Sequence, residues 1–112
     1  MKLSTRSELN LQVVQVHGSR IDAAVAIEFK DGMRAKTDGG SETVVLDLSA
    51  VEFIDSSGLG AIVAAMKHMG VTRKLTLAGL TPTVDKVFRL TRMDSVFKIF
   101  PTLDGALTEL NP

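Results

Sequence analysis

The residues of this chain best placed to do chemistry are two neighbouring serines, Ser56 and Ser57, which follow Asp55 and precede Gly58. An apolar run before Asp55 predicts a buried strand, and the amphipathic pattern after Ser57 predicts a helix. Two hydroxyls therefore stand at a helix N-terminus, where unpaired backbone N–H groups and the helix dipole favour an anion. A serine in this position can cap the helix, act as a nucleophile or accept a phosphate.

A nucleophilic role is disfavoured because neither serine has a general base within reach, and a serine nucleophile needs one. The chain has two histidines, His17 and His68. His17 closes a predicted strand, and His68 lies about 18 Å along the axis of the helix that Ser56 opens. The glycine that stands two residues before the serine in a nucleophile elbow is replaced by Ile54. A serine hydrolase is therefore disfavoured.

The composition argues against several further classes of site. Two distant histidines and no cysteine give no recognisable spacing of metal ligands, and no glycine-rich phosphate loop is present, so we expect no metal and no cofactor. The 13 basic residues balance the 13 acidic ones, and tryptophan and tyrosine are absent. Direct binding to nucleic acid, which relies on excess positive charge and on stacking platforms, is disfavoured.

Length and apolar content indicate one small domain. The 112 residues suffice for one continuous core, so residues 1–112 are expected to form a single domain. The charged N-terminus lacks the apolar stretch of a signal peptide. The longest apolar segment, residues 59–66, is far too short to cross a bilayer. A cytoplasmic protein without membrane insertion is expected.

In the first half of the chain, the hydrophobic pattern predicts a hairpin, a helix and a buried strand. Two short strands at 3–6 and 11–16 are joined near Asn10, a residue that favours turns. A helix is predicted from Asp22, and a strand covered on both faces at 43–48. The apolar stripe of the predicted helix consists of Ile21, Val25, Phe29 and Met33.

In the second half, helices and short strands alternate. A strand is predicted at 75–78 and another at 96–100. The helix that begins at Ser56 is expected to end near Gly70, the next to begin at Thr81-Pro82, and the last at Thr102 or Asp104. Their predicted inner faces are Leu59, Ile62, Val63 and Met66; Val84, Val87, Phe88 and Thr91; and Leu103, Ala106, Leu107 and Leu110.

This alternation after an initial hairpin predicts an α/β fold, because strands joined through helices pair in parallel. We expect a small, mixed but mostly parallel sheet of about five strands, flanked by about four helices. In such a sheet the corner at Asp55 opens a helix at the end of a strand.

The spacing at this corner leaves two roles for the serines open. Helix capping by Asp55 or a serine is the simpler role, since a cap hydrogen bond contributes about 1 kcal/mol. The alternative is regulatory. A phosphate on Ser56 would add nearly two negative charges, stabilised by the helix N-terminus and crowded by Asp55 and by Asp22 at the end of a neighbouring strand.

Three segments resemble the STAS domain family, and specifically its bacterial anti-sigma factor antagonists. They are Leu-Asp-Leu-Ser at 46–49 with Phe-Ile-Asp-Ser-Ser-Gly-Leu at 53–59, Arg-Ile-Asp-Ala-Ala at 20–24, and residues 96–107. The resemblance covers nearly the whole chain in order. The family's fold, a small mixed sheet flanked by helices, agrees with the fold expected from the residues.

The resemblance implies a partner-switching protein that is not an enzyme and has no catalytic residue. In the family, the unmodified antagonist binds an anti-sigma factor that is itself a serine kinase, and the sigma factor is released. The kinase then phosphorylates the serine directly after the aspartate, here Ser56, with Ser57 as the weaker candidate, and a serine phosphatase resets the switch. The implied partner-binding surface comprises Asp22, Asp55, Ser56, Ser57, Gly58 and Leu59.

Two further expectations follow from the resemblance. Asp55 becomes the better candidate for the helix cap, and Asp47 is expected to bond loop backbone. The competing hypothesis is a STAS subunit that does not switch and instead stabilises a larger assembly, such as a lipid-transport ATPase complex. A serine at position 56, in place of alanine or glycine, favours the switch.

Overall fold

A computed structural model describes residues 1–111 of the protein. In chain order its elements are β1 (Lys2–Glu8), β2 (Leu11–His17), β3 (Arg20–Ile21), α1 (Ala26–Thr37), β4 (Thr43–Asp47), β5 (Phe53–Ile54), α2 (Ser56–Met69), β6 (Lys74–Ala78), α3 (Pro82–Leu90), a 3-10 turn (Met93–Ser95), β7 (Ile99–Phe100) and α4 (Leu103–Leu110). None of the helices within residues 1–111 has the length and apolar character needed to cross a membrane.

The strands form two sheets. Five strands make the main sheet, in the order β1-β2-β4-β6-β7, and β3 pairs with β5 in a separate two-stranded sheet. Only β1 runs antiparallel to its neighbour; the pairs β2–β4, β4–β6 and β6–β7 are parallel. The predicted α/β class with a mixed, mostly parallel sheet of about five strands and about four helices is confirmed.

The hairpin of β1 and β2 also confirms its prediction, with strands slightly longer than expected. A two-residue connection, Leu9 and Asn10, joins them, and Leu9 adopts a left-handed conformation with φ of 57°. Its side chain lies in solvent. Asn10 therefore shares the turn with a leucine that takes the positive φ.

The helices divide the core between the two faces of the main sheet. Helices α1, α2 and α3 cover one face, where Phe29, Ile62 and Phe88 are fully buried in the larger cluster. The short helix α4 covers part of the other face, where Ala106 packs against Val13 and Val45. Strand β4 is covered on both faces, as predicted, and four of its five residues are buried.

Helix α1 begins later than the prediction from Asp22. Residues Arg20 and Ile21 pair with β5 instead. The Asp22 carboxylate then accepts a hydrogen bond from the Ala24 N–H at 3.1 Å, a local turn that competes with helix. Val25 is consequently the N-cap residue, and the regular helix starts at Ala26. Phe29 and Met33 are buried as predicted.

The final strand is shorter than the predicted 96–100. The 3-10 turn ends at Ser95, and Val96 keeps a helical conformation with φ of −95° and ψ of −40°. This turn directs Phe97 into the core, where its ring meets that of Phe88 edge to face, with centroids 6.2 Å apart. Packing of Phe97 therefore takes precedence over strand pairing, and only Ile99 and Phe100 remain in β7.

The buried face of α2 is displaced from the predicted stripe. Ile62 is buried as expected, whereas Leu59, Val63 and Met66 are half-buried at the margins. The deepest line of the helix consists of Gly58, Ala61, Ile62, Ala65 and Met69. Small residues dominate this line, so α2 packs closely against its neighbours. Gly70, with φ of 85°, ends the helix as predicted.

The predicted starts of α3 and α4 are confirmed, but the two threonines act differently. The Thr102 hydroxyl caps α4 by accepting the Gly105 N–H at 3.0 Å. The Thr81 hydroxyl instead donates to the Val51 carbonyl oxygen at 2.8 Å, which ties α3 to the segment before β5. On α3, Val84 and Phe88 are buried, Val87 is half-buried, and Thr91 is exposed at the C-cap.

Gly58 marks the closest approach of α2 to β3. A Cβ atom at this position would lie far inside contact distance of the Ile21 carbonyl oxygen. Backbone on both sides forms this contact, so neither group can move away as a flexible side chain could. Gly60, two residues further along and on the exposed side of the helix, has open space around its own Cβ position.

We expect Gly58→Ala and Gly60→Ala to change stability in opposite directions. The first substitution should lower the free energy of unfolding by about 1–3 kcal/mol, because backbone must shift to admit the methyl group. The second should raise it by about 0.5–1 kcal/mol, because alanine favours helix over glycine. Urea denaturation of both variants measures the difference, and equal effects would contradict the close approach.

Candidate functional site

Two short parallel strands bring the predicted site residues together. Ile21 of β3 lies opposite Ile54 of β5, and both side chains are buried. The N–H groups of Glu52 and Phe53 also donate to the Ser19 carbonyl oxygen, at 2.8 and 3.1 Å. The loop after β3 therefore lies beside the first turn of α2. We call residues 20–24 together with 53–59 the β3–β5 corner.

The carboxylate of Asp55 links the two segments of this corner. Its Oδ1 accepts the Gly58 N–H at 2.9 Å, which caps α2, and its Oδ2 accepts the Ala23 N–H at 3.1 Å. Each oxygen thus bonds a different segment. The expectation that Asp55 is the helix cap is confirmed, and the same side chain also positions the loop that precedes α1.

Ser56 and Ser57 are the first two residues of α2, and both are exposed. Within the described residues, neither hydroxyl makes a hydrogen bond to another protein group. The neighbouring backbone donors are already bonded: the Gly58 N–H by the Asp55 carboxylate, and the Leu59 N–H by the Asp55 carbonyl oxygen at 2.9 Å. The side-chain cap of α2 is therefore Asp55 and neither serine, so both hydroxyls are open to solvent and to another protein.

Asp22 lies in the same corner and is held in place by its neighbours. Arg20 Nε donates to Asp22 Oδ2 at 3.1 Å, and the Ala24 N–H donates to Oδ1. The hydrogen bond from Arg20 lowers the pKa of Asp22 below its ordinary value, and the Ala24 N–H adds to this effect. Asp22 is therefore ionised at neutral pH, and its charge is partly balanced by the guanidinium.

Arg20 and Phe53 are two members of this surface that the sequence reasoning did not single out as binding residues. They are paired across β3 and β5, and the guanidinium carbon lies 4.2 Å from the centre of the phenyl ring. Phe53 remains 36% exposed, which is high for an apolar aromatic side chain. Only the register of the two strands could have indicated the pair, because 33 residues separate them in the chain.

The structure places most of the proposed binding residues on this surface, but not all in the same way. Asp22 and Asp55 are half-buried, and Leu59 is half-buried against the core. Gly58 is buried beneath the surface, against Ile21, so its part in the corner is to permit close packing.

The remaining polar candidates lie outside the corner. His17 pairs with the Ser4 hydroxyl at 2.7 Å, and His68, near the far end of α2, lies 3.3 Å from an Arg34 nitrogen. Asp47 is buried and accepts the Ser49 N–H at 2.9 Å, which confirms the expectation that it bonds loop backbone.

Comparison with known proteins identifies relatives along nearly the whole chain. The family model described as "STAS domain" matches residues 3–106. The anti-sigma-F factor antagonist RsfB of Mycobacterium tuberculosis is 30% identical over 91 residues, which cover 81% of this chain and 75% of RsfB. The crystal structure of an anti-sigma factor antagonist from Mycobacterium paratuberculosis has a TM-score of 0.87 and 30% identity, covering 99% of this chain and 94% of that one.

A more distant likeness concerns the fold alone. The Bacillus cell fate determinant SpoIIAA, solved in its phosphorylated form, has a TM-score of 0.70 and 18% identity. The match covers 98% of this chain and 100% of SpoIIAA.

The hydrogen bonds of the corner predict different consequences for substitutions at Asp55 and Ser56. Asp55→Ala should lower the free energy of unfolding by about 1–2 kcal/mol, because it removes the cap and leaves the Ala23 N–H without its acceptor. Ser56→Ala should change it by less than about 0.5 kcal/mol, because an exposed side chain without a partner contributes little. Urea denaturation compares the two variants, and a larger loss for Ser56→Ala would assign the cap to the serine.

Proposed function

The chain belongs to the STAS domain family, and we propose that it is an anti-sigma factor antagonist that changes partners when Ser56 is phosphorylated. The observation that carries this proposal is the state of the Ser56 hydroxyl, which is exposed at the start of α2 and free of any capping role. The names of its relatives support the class of function. The non-switching subunit considered above requires no such free hydroxyl.

In the unmodified state, the β3–β5 corner provides a surface on which an anti-sigma factor can dock. Its centre is small and uncharged at Ser56 and Ser57, and Phe53 and Leu59 offer apolar area beside them. The backbone beneath is fixed by Asp55 and by the β3–β5 pairing. Such a preformed surface loses little conformational entropy on binding, which favours affinity.

Phosphorylation changes the charge of this surface with little demand on the fold. Transfer of the γ-phosphoryl group of ATP to Ser56 Oγ, with loss of the hydroxyl proton and release of ADP, adds nearly two negative charges. The N-terminus of α2 stabilises them, whereas Asp55 and Asp22 stand close enough to disfavour further burial of negative charge. A docked partner would have to desolvate this charge, so its affinity falls.

The size of the required effect is modest. A change of about 2.8 kcal/mol in binding free energy alters affinity about a hundredfold, which is enough to exchange one partner for another. A phosphate placed inside an interface readily costs this amount through repulsion and poor desolvation. SpoIIAA, which shares the fold, exists in a phosphorylated form, so a phosphate is compatible with this architecture.

Two partners would add and remove the phosphate. The first is an anti-sigma factor with serine kinase activity, and the second is a serine phosphatase that removes the phosphate. In this proposal the chain is the substrate of both partners and performs no catalysis itself. Sigma factors act on RNA polymerase, so the cytoplasm is the proposed location.

Co-expression with a kinase anti-sigma factor encoded beside the gene should add one phosphate to the protein. Ser56→Ala should abolish the added mass, whereas Ser57→Ala should leave most of it, because the kinase is proposed to recognise the serine directly after Asp55. Intact-mass spectrometry measures both variants.

Each alternative result has a defined meaning. Loss of the phosphate in Ser57→Ala alone moves the modification to Ser57. An unmodified protein that instead copurifies stoichiometrically with a transporter component contradicts the switch and supports the assembly subunit.

Ser56→Asp should weaken binding to the anti-sigma factor by about tenfold or more relative to the unphosphorylated protein, because it adds a charge within the docking surface. The melting temperature should stay nearly unchanged, since a carboxylate in the first turn of a helix is tolerated or favoured. Ser7→Asp, at an exposed position on β1, is the matched control and should bind normally. Calorimetric titration and thermal denaturation provide the two measurements, and unfolding of Ser56→Asp would indicate a structural role for the serine.

A further inference from the structure

The main sheet has an open stretch at the edge formed by β6 and β7. Strand β7 pairs only with the last two residues of β6, with Leu77 N–H bonded to the Lys98 carbonyl oxygen at 3.0 Å. The Lys74 N–H points the other way, to the Glu42 carbonyl oxygen at 2.7 Å on the side of β4. Backbone direction alternates along a strand, so the N–H and C=O of Leu75 face the open edge. No described residue bonds the Leu75 N–H there.

A groove of about 400 Å³ follows this open edge. Its lining comes from both faces of the sheet: Met66 belongs to α2 on one face, and Leu110 belongs to α4 on the other. Val96 lies between the 3-10 turn and β7, outside the sheet. It borders the groove and is 47% exposed. The groove therefore occupies the place that a longer β7 would have filled.

The two walls of the groove differ in chemistry. Leu75 and Met66, on the side of the larger core, make one wall apolar. The other wall is polar. It lies on the opposite face of the sheet and is formed by Lys74, Thr76 and Thr43, together with Lys98 of the neighbouring segment. Every charged side chain that lines the groove is basic. Within residues 1–111, neither Lys74 nor Lys98 takes part in an ion pair.

We propose that this groove binds an extended segment of a partner protein in which acidic and apolar residues alternate, added as a strand beside β6. The backbone of the segment would bond the free N–H and C=O of Leu75. Its apolar side chains would contact Met66 and Leu75, and its acidic side chains would face Lys74 and Lys98. Alternation in the segment is required because successive side chains of a strand point to opposite faces.

Charge also decides between this occupant and a second copy of the chain. Lysines on an open edge are a common protection against pairing between identical sheets, because they bring like charges together. The same lysines attract an acidic strand. The positive charge along the groove therefore disfavours a homodimer through this edge and favours a partner of the opposite charge.

The groove is separate from the β3–β5 corner. Ser56 begins α2 and Met66 lies ten residues later, which corresponds to about 15 Å along the helix axis. A partner strand in the groove would leave the corner accessible. The inference therefore does not depend on the function proposed for Ser56.

A fluorescently labelled peptide of alternating Glu and Val residues tests the proposal. Fluorescence polarisation should show saturable binding that weakens with salt, and the NMR amide signals of Leu75 and Lys98 should shift. The double variant Lys74→Glu and Lys98→Glu should bind about tenfold or more weakly. Reversal of two exposed lysines elsewhere, Lys30→Glu and Lys86→Glu, is the matched control and should leave binding unchanged.

Two further peptides separate strand addition from simple charge attraction. A peptide of alternating Lys and Val should not bind, and a Glu-Val peptide N-methylated at alternate amides should lose binding because it cannot form the ladder. Ser56→Asp should bind the Glu-Val peptide as the unmodified protein does, so this result stands or falls independently of the phosphorylation switch.

The proposal is overturned if the Glu-Val peptide shows no saturable binding up to about 1 mM. It is also overturned if the N-methylated peptide binds equally well, or if the control lysines matter as much as Lys74 and Lys98. A concentration-dependent dimer in light scattering that the Glu-Val peptide dissociates would replace the partner strand with a second copy of the chain.

Discussion

The carboxylate of Asp55 is the interaction on which the proposed site depends, because it bonds the two chain segments that make up the corner. One oxygen holds the first turn of α2 and the other holds the loop before α1. These side-chain hydrogen bonds add to the short pairing of β3 and β5 and to the close packing of Gly58 against Ile21. Asp55 and the absence of a side chain at Gly58 together fix the distance between α2 and β3.

In this corner the structural hydrogen bonds and the proposed modification involve different residues. Since Asp55 satisfies the capping requirement, the two serines that follow it carry no structural duty at the helix start. Ser56 can therefore gain a phosphate without breaking a hydrogen bond that the fold needs. A switch of this kind acts by changing the surface presented to a partner, and the fold beneath needs no second conformation.

The pattern of the sequence was sufficient for most of the fold, because alternation of apolar residues reports burial directly. It failed at the ends of two elements, where a side-chain hydrogen bond or a packing contact overrode the local preference. The helix predicted from Asp22 begins only at Ala26, because the Asp22 carboxylate closes a turn with the Ala24 N–H after the strand that pairs with β5. The burial of Phe97 against Phe88 likewise shortened β7. The pattern of apolar residues records neither feature, since it reports burial and not side-chain hydrogen bonds or ring geometry.

The site was predictable to a similar degree and for the same reason. A helix start after Asp55 follows from residue types alone, which left the cap open between Asp55 and a serine. The stacking of Arg20 on Phe53 could not be predicted without the register of β3 against β5. The burial of Gly58 could be recognised only from the position of the Ile21 carbonyl group, which a pattern of side chains does not describe.

The formal net charge of zero conceals a polarity along α2 that bears on both proposed surfaces. Acidic groups gather at the corner where the helix begins, at Asp22 and Asp55, whereas Lys74 and Lys98 border the groove near its other end. The separation of about 15 Å along the axis exceeds the screening length of about 8 Å in physiological salt. Charge added at Ser56 should therefore be felt weakly in the groove. The two proposed surfaces are thus electrostatically independent, because solvent ions screen charges over the length of helix that separates them.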